Sequence, residues 1–139
     1  VGVGNVSPEA GRLIGVTREA LNRGIDAARA EARLGQIGAA IQTYVEGEGF
    51  SVVREYVGHG VGRQMHEDPQ VPNYGDPETG PVLKEGMVIA IEPMVNAGDW
   101  RTKRDPDNWT VRTLDGSLSA HFEHTLAVRD GAAEVLTLP

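Results

Sequence analysis

The 139-residue sequence predicts a mixed α+β domain, and three observations carry that expectation. In the first third, apolar residues recur every three to four positions, as in helices buried on one side. From residue 51 the period shortens to two, the mark of strands with one buried face. Glycine is abundant, 18 residues against a usual share of ~7%, as where many turns join short strands. The length suits one domain with a core and is short for two. No internal repeat, low-complexity tract or linker divides it, so residues 1–139 are read as a single domain.

The elements follow in order. Ser7-Pro8 offers an N-cap with proline at the first helical position, where its missing N–H costs nothing. Leu13, Val16 and Ala20, with Ile14 and Leu21, form the apolar stripe of a helix ending near Arg23-Gly24. Ile37, Ala40, Ile41, Tyr44 and Val45 mark a second helix, closed by Gly47 and Gly49. A short link between them predicts a helix pair packed on one side of a sheet. Residues 52–57 read as β-rich, and 67–86, with four prolines, as an irregular loop. Residues 87–95 form a Val/Ile strand stopped by Pro93 and Asn96-Ala97-Gly98. Residues 109–113 and 117–129 look like two arms of a hairpin around Asp115-Gly116, with a last strand at 134–138.

Composition narrows the function. A net charge of −7 argues against a general nucleic-acid or anionic-membrane surface. With no cysteine, disulfides and thiolate ligands are excluded, so a metal would be held by oxygen and imidazole nitrogen. That absence also fits the cytosol. No apolar run approaches the roughly 20 residues that span a bilayer.

Three separated segments carry ligand-type residues: Gly58-His59-Gly60 with His66 beyond it, Ile91-Glu92-Pro93-Met94, and His121-Phe122-Glu123-His124. Gly58-x-Gly60 is not a dinucleotide fingerprint, because Arg63 stands where that motif needs glycine and prolines replace the helix. His59 alone serves as well for a structural histidine as for a ligand. Glu92 follows an apolar run; it either turns into water at Pro93 or is buried, where a carboxylate must be neutral, paired or metal-bound. Along residues 119–126, Ser119, His121, Glu123 and Thr125 share one face, which is either solvated or lines a site. The spacing of His59 and His66 excludes a helical His-x-x-x-His pair, so separate roles follow: one a ligand, the other a proton donor or electrophile. Glu67-Asp68 and Lys103-Arg104-Asp105 read as solvated loop charges, and Phe122 as core. No cysteine or Gly-x-Ser-x-Gly nucleophile is present.

Together these segments, with Ile37-Gly38-Ala39-Ala40-Ile41-Gln42 and Gly49-Phe50-Ser51-Val52-Val53, resemble the type I methionine aminopeptidases over roughly the whole chain. The resemblance implies the carboxy-terminal half of a pita-bread fold, an antiparallel curved sheet flanked by helices. It implies two divalent ions (Co, Mn, Fe or Zn), with His59, Glu92 and Glu123 as ligands and Glu123 bridging. The implied reaction removes the initiator methionine from nascent chains by a metal-activated hydroxide. Glu92 would serve as both ligand and proton shuttle, and His66 would contact the scissile carbonyl. Tyr56, Met65 and Trp109 fall where the family lines its methionine pocket, alongside His66. The expected partners are nascent polypeptide N-termini and the ribosome, in the cytoplasm, with no membrane and no sequence-specific nucleic acid.

Prolidases and aminopeptidases P share the glycine-flanked histidine but end in Arg-Ile-Glu-Asp, where this chain has Phe122-Glu123-His124-Thr125. Type II enzymes carry a helical insertion for which this chain has no room. His121 takes the place of a glutamine more usual in type I enzymes. The family also draws two aspartates and a histidine from an amino-terminal half that is missing here, and Val1-Gly2-Val3-Gly4 resembles the tail of its last strand. The resemblance therefore predicts part of a longer enzyme, feebly active by itself. A non-catalytic peptide- or protein-binding module on the same fold is the alternative.

Overall fold

A computed structural model describes residues 1–138. Helix α1 spans Pro8–Ala27; Ser7 Oγ accepts the Ala10 amide at 3.1 Å and Pro8 opens the first turn. The helix continues past Gly24, which is buried against Ile41 and so marks a helix contact rather than a cap. Helix α2 spans Gly35–Gly47. The strands are β1 (Ser51–Val52), β2 (Gly58–Gly60), β3 (Glu67–Val71), β4 (Val88–Ile91), β5 (Met94–Asn96), β6 (Thr102–Arg104), β7 (Val111–Thr113), β8 (Ser119–His121), β9 (His124–Ala127) and β10 (Glu134–Val135). They form antiparallel sheets ordered β10-β9-β4-β2-β3, β1-β5-β8 and β6-β7.

The mixed α and β architecture is the one expected, and several strand assignments need correction. The region read as an irregular loop contains β3. Pro69 lacks a ladder donor, and it is accommodated because β3 is an edge strand whose register shifts between His59 and Gly60. The strand expected at 52–57 is only two residues long and pairs with β5. The hairpin expected around Asp115-Gly116 is not formed. Instead β7 pairs with β6 across a turn at 105–110, in which Asp107 accepts the amides of Trp109 and Thr110 at 2.9 Å. Asp115-Gly116 connects two different sheets. Residues 1–7 are neither helix nor strand, so the strand tail expected at Val1–Gly4 is absent.

Two long strands, 88–96 and 119–127, are each broken in the middle, and both breaks fall at the same height. Ile91 pairs with His124 on one side of the break and Met94 with His121 on the other. Pro93 supplies no N–H, so the ladder cannot run through; across the gap the Phe122 amide reaches the Pro93 carbonyl at 3.4 Å. Two residues are skipped on each strand. The register is therefore unchanged, and Glu92 stands across from Glu123.

The helices cover one face of these sheets. Leu13, Leu21, Ile37 and Ile41 meet Ile89, Ile91, Leu126 and Val71 in a dry core. Since α1 and α2 pack on each other and against β1, β3, β4, β5 and β8, the opposite face is left uncovered by helices.

Two outcomes follow. Ile41 is fully buried whereas Leu118 is 45% exposed. Ile41→Ala should lower unfolding free energy in urea by about 2–5 kcal/mol, and Leu118→Ala should change it by under about 0.5 kcal/mol. The Asp115 carboxylate accepts the amides of Asp99 at 2.7 Å and Ser117 at 2.9 Å. These donors, Asp99 first, lower its pKa to about 2. With a lowered folded pKa, the contribution is complete above the unfolded value of about 3.9 and lost as pH falls through about 2. An NMR titration of the Asp115 carboxyl should give a midpoint near 2, and one near 4 would contradict the turn geometry.

Candidate metal centre

His59 occupies the middle of β2, between β3 and β4, and pairs with Ala90. A Cβ on Gly58 would lie 2.2 Å from the Ala90 carbonyl oxygen, and one on Gly60 2.2 Å from that of Asp68. Only glycine permits both neighbouring backbones to close on the histidine. Glu92 is two residues beyond Ala90 and therefore on the same face as His59. Glu123 reaches that face from the facing strand.

The structure brings these three residues together: one ligand atom from each of His59, Glu92 and Glu123 lies within 4.8 Å of the others. His59 and Glu92 are half-buried and Glu123 is exposed. His59 Nδ1 is 2.8 Å from the Gly60 carbonyl oxygen. A carbonyl only accepts, so Nδ1 is the donor in this contact and Nε2 is the ring nitrogen that faces Glu92. Nε2 is 3.6 Å from Glu92 Oε1. An imidazole tautomer fixed by a backbone carbonyl is the usual supporting contact of a metal-ligating histidine.

The electrostatics point the same way. Two carboxylates directly opposed across a ladder repel, and beside them His59 Nε2 faces Glu92 Oε1. A cation placed between them would relieve that repulsion. An imidazole and two carboxylates suit Mn, Fe, Co and Zn alike, so the donor set fits the implied divalent metal.

The other expected site residues are placed as follows. His66 lies in the exposed loop between β2 and β3 with its ring centroid 4.1 Å from that of His59. Glu67 holds this loop by accepting the Gln64 amide at 2.7 Å, and Asp105 pairs with Arg112 at 2.6 Å. Neither carboxylate is merely solvated, as the sequence suggested. Tyr56 is half-buried. Met65 is 76% and Trp109 87% exposed, the latter in the β6–β7 turn. Neither lines the cavities of about 480 Å³ beside His59 and His66 and about 470 Å³ beside Met94 and His121.

Sequence reasoning passed over Asn73, which lay in the proline-rich stretch. It is fully buried and its Nδ2 donates to the Glu92 carbonyl at 3.3 Å, bracing the break in the strand. The only sequence signal was an asparagine between Pro72 and Tyr74. His121 was noticed as a departure from the usual glutamine, but not as a neighbour of Glu92. Its Nε2 stands 3.5 Å from Glu92 Oε2.

Fold and donor set thus define a metallopeptidase-like centre. Residues 1–130 match metallopeptidase family M24, and the chain belongs to that family. It is 58% identical over 135 residues to methionine aminopeptidase 1 of Bacillus subtilis, covering 97% of this chain and 54% of that protein. It is 56% identical over 137 residues to the methionine aminopeptidase of Clostridium perfringens, covering 99% and 55%. The crystal structure of the Thermotoga maritima methionine aminopeptidase superposes with a TM-score of 0.96 at 52% identity, covering 99% of this chain and 55% of that one. Prolidase from Pyrococcus furiosus, at 24% identity and a TM-score of 0.74, shares the fold alone. The expected pita-bread fold is therefore the one found. The chain spans about half the length of the curated relatives it matches.

Opposed carboxylates make a specific outcome. Glu123→Gln should stabilise the protein in EDTA by about 0.2–1 kcal/mol, because one of two repelling charges is removed. The same variant should lose the stabilisation that Mn²⁺ confers on the parent. A melt in EDTA showing Glu123→Gln to be destabilised would mean that the two carboxylates do not repel across the break.

Proposed function

We propose that this chain supplies the imidazole and glutamate side of a methionine aminopeptidase centre that removes the initiator methionine from nascent polypeptides. The observation that carries this reading is the convergence of His59, Glu92 and Glu123 in a chain over half identical to proteins named for that activity. His59, Glu92 and Glu123 would hold divalent ions, two in number and drawn from Co, Mn, Fe or Zn, with Glu123 bridging. Ions bound there would acidify water and polarise a peptide carbonyl.

The protein groups divide the remaining work. His66 stands over His59 on an exposed loop, and its ring N–H donates to the oxygen of the scissile carbonyl as charge develops there. Glu92 lies between the two halves of the strand, held by Asn73 through its backbone, and can take a proton and return it to the leaving amine. Tyr56, Met65, Trp109 and His66 would border the methionine side chain of the substrate, Met65 and Trp109 from exposed loops outside the two cavities of this chain. Nascent N-termini would be met in the cytoplasm, with the ribosome as a docking partner. Among the described residues, no helix is long and apolar enough to cross a membrane.

The test replaces the corresponding 135 residues of the Bacillus subtilis relative with this chain and assays hydrolysis of Met-Ala-Ser with Mn²⁺ or Co²⁺. The chimera should cleave methionine, and His66→Ala in it should retain metal while losing on the order of 10²–10³ in turnover. A chimera that folds and binds metal without hydrolysis would favour a peptide-binding module. Loss of metal in His66→Ala would mean that the roles of the two histidines are exchanged. The 139-residue chain alone should turn over the same peptide only feebly.

A further inference from the structure

Two Asp-Gly steps occur in the chain, Asp115-Gly116 and Asp130-Gly131, and the fold treats them differently. In such a step the carboxyl can meet the next backbone amide, because glycine puts no side chain in the way. Both glycines sit at positive φ, 78° and 120°, and a Cβ on either would meet nothing within 4 Å. At the first step both reacting groups are engaged. The Asp115 carboxylate accepts the amides of Asp99 and Ser117, and the Gly116 amide donates to the Thr113 carbonyl at 3.4 Å. At the second step, the Asp130 carboxylate and the Gly131 amide hydrogen-bond to none of the described residues, and both residues are exposed. Arg129, the adjacent cation, is taken by Glu134 at 3.0 Å. We propose that Asp130-Gly131 is a modification site at which the chain isomerises through a cyclic imide, while the turn around Asp115-Gly116 protects that step.

The reaction needs only water and the protonated Asp130 carboxyl. The Gly131 nitrogen attacks Asp130 Cγ; the N–Cγ bond forms, the Cγ–OH bond breaks, and the hydroxyl leaves as water with the amide proton. Water then opens the five-membered imide. Entry at Cγ restores the original linkage, whereas entry at the main-chain carbonyl carbon leaves Gly131 joined through Cγ and frees the α-carboxylate. One water leaves and one returns, so nothing is oxidised and the mass is unchanged. The product lengthens the main chain by one methylene in the exposed turn between β9 and β10. That turn lies beyond buried Val128 and is spanned by the Arg129–Glu134 pair, so the core is left in place. The freed α-carboxylate is the group that an S-adenosylmethionine-dependent carboxyl methyltransferase acting on isoaspartate would esterify. The inference stands on the two turns and is independent of the metal centre.

The experiment warms the 139-residue chain in ¹⁸O-labelled water at mildly acidic pH, then digests it with trypsin in ordinary water. Cleavage after Arg112 and Arg129 puts each Asp-Gly step on its own peptide, 113–129 and 130–139. From the folded chain, peptide 130–139 should carry one ¹⁸O and split into two isomers on chromatography, while 113–129 stays unlabelled. In urea, where both turns are undone, the two peptides should label at similar rates. Asp115 should thus react about 10-fold or more slowly when folded, because its lowered pKa leaves less of the protonated acid. Asp130→Glu should abolish the label in 130–139, since a six-membered imide closes far less readily. On this exposed turn it should change urea unfolding by under about 0.5 kcal/mol. Equal labelling of both peptides in the folded chain, or none in 130–139, would overturn the inference. Label that persists in 130–139 of Asp130→Glu would do the same, by placing the reaction elsewhere.

Discussion

The proline at position 93 is the constraint on which the rest depends. It stops a hydrogen-bonded ladder that would otherwise run the full length of two strands, and it does so without changing their register. Beyond the break the strands join a different sheet. At the break Glu92 and Glu123 stand across from each other, and one ligand atom of each lies within 4.8 Å of the other and of His59. The helices are seated on the opposite face, so the core of Ile89, Ile91 and Leu126 holds the break rigid from behind. Packing thus enforces an electrostatic conflict that a cation resolves.

The second constraint is the closeness of backbones around His59. Carbonyls from β3 and β4 occupy the space that side chains at Gly58 and Gly60 would need. The histidine is therefore held between two strands, its tautomer set by the Gly60 carbonyl. Asn73 acts in the same sense on Glu92, from the loop after β3. Site and scaffold are not separable here: a substitution that relaxes either backbone contact also moves a ligand-type nitrogen or oxygen.

Much of this was legible in the sequence, and the exceptions have physical causes. The helices could be read because capping at Ser7-Pro8 and the apolar stripes are local signals. His59, Glu92 and Glu123 could be singled out because polar groups stood in β-rich segments. Strand β3 was hidden because Pro69 and Pro72 resemble loop chemistry, and only an edge position makes a proline tolerable in a strand. The β6–β7 hairpin was misplaced because Asp115-Gly116 has the stronger hairpin signature, whereas the turn actually used is organised by side-chain acceptors at Asp107. The opposition of Glu92 and Glu123 depends on register, a property of two strands at once that neither sequence segment contains.

The central claim is that the strand break creates a cation site from His59, Glu92 and Glu123. It is tested most directly by a crystal structure of the 139-residue chain grown with Mn²⁺ and phased for anomalous scattering. An anomalous peak should lie within about 2.0–2.3 Å of His59 Nε2 and of one oxygen from each glutamate. Anomalous density only on surface carboxylates, with His59 and the two glutamates turned apart, would contradict the account.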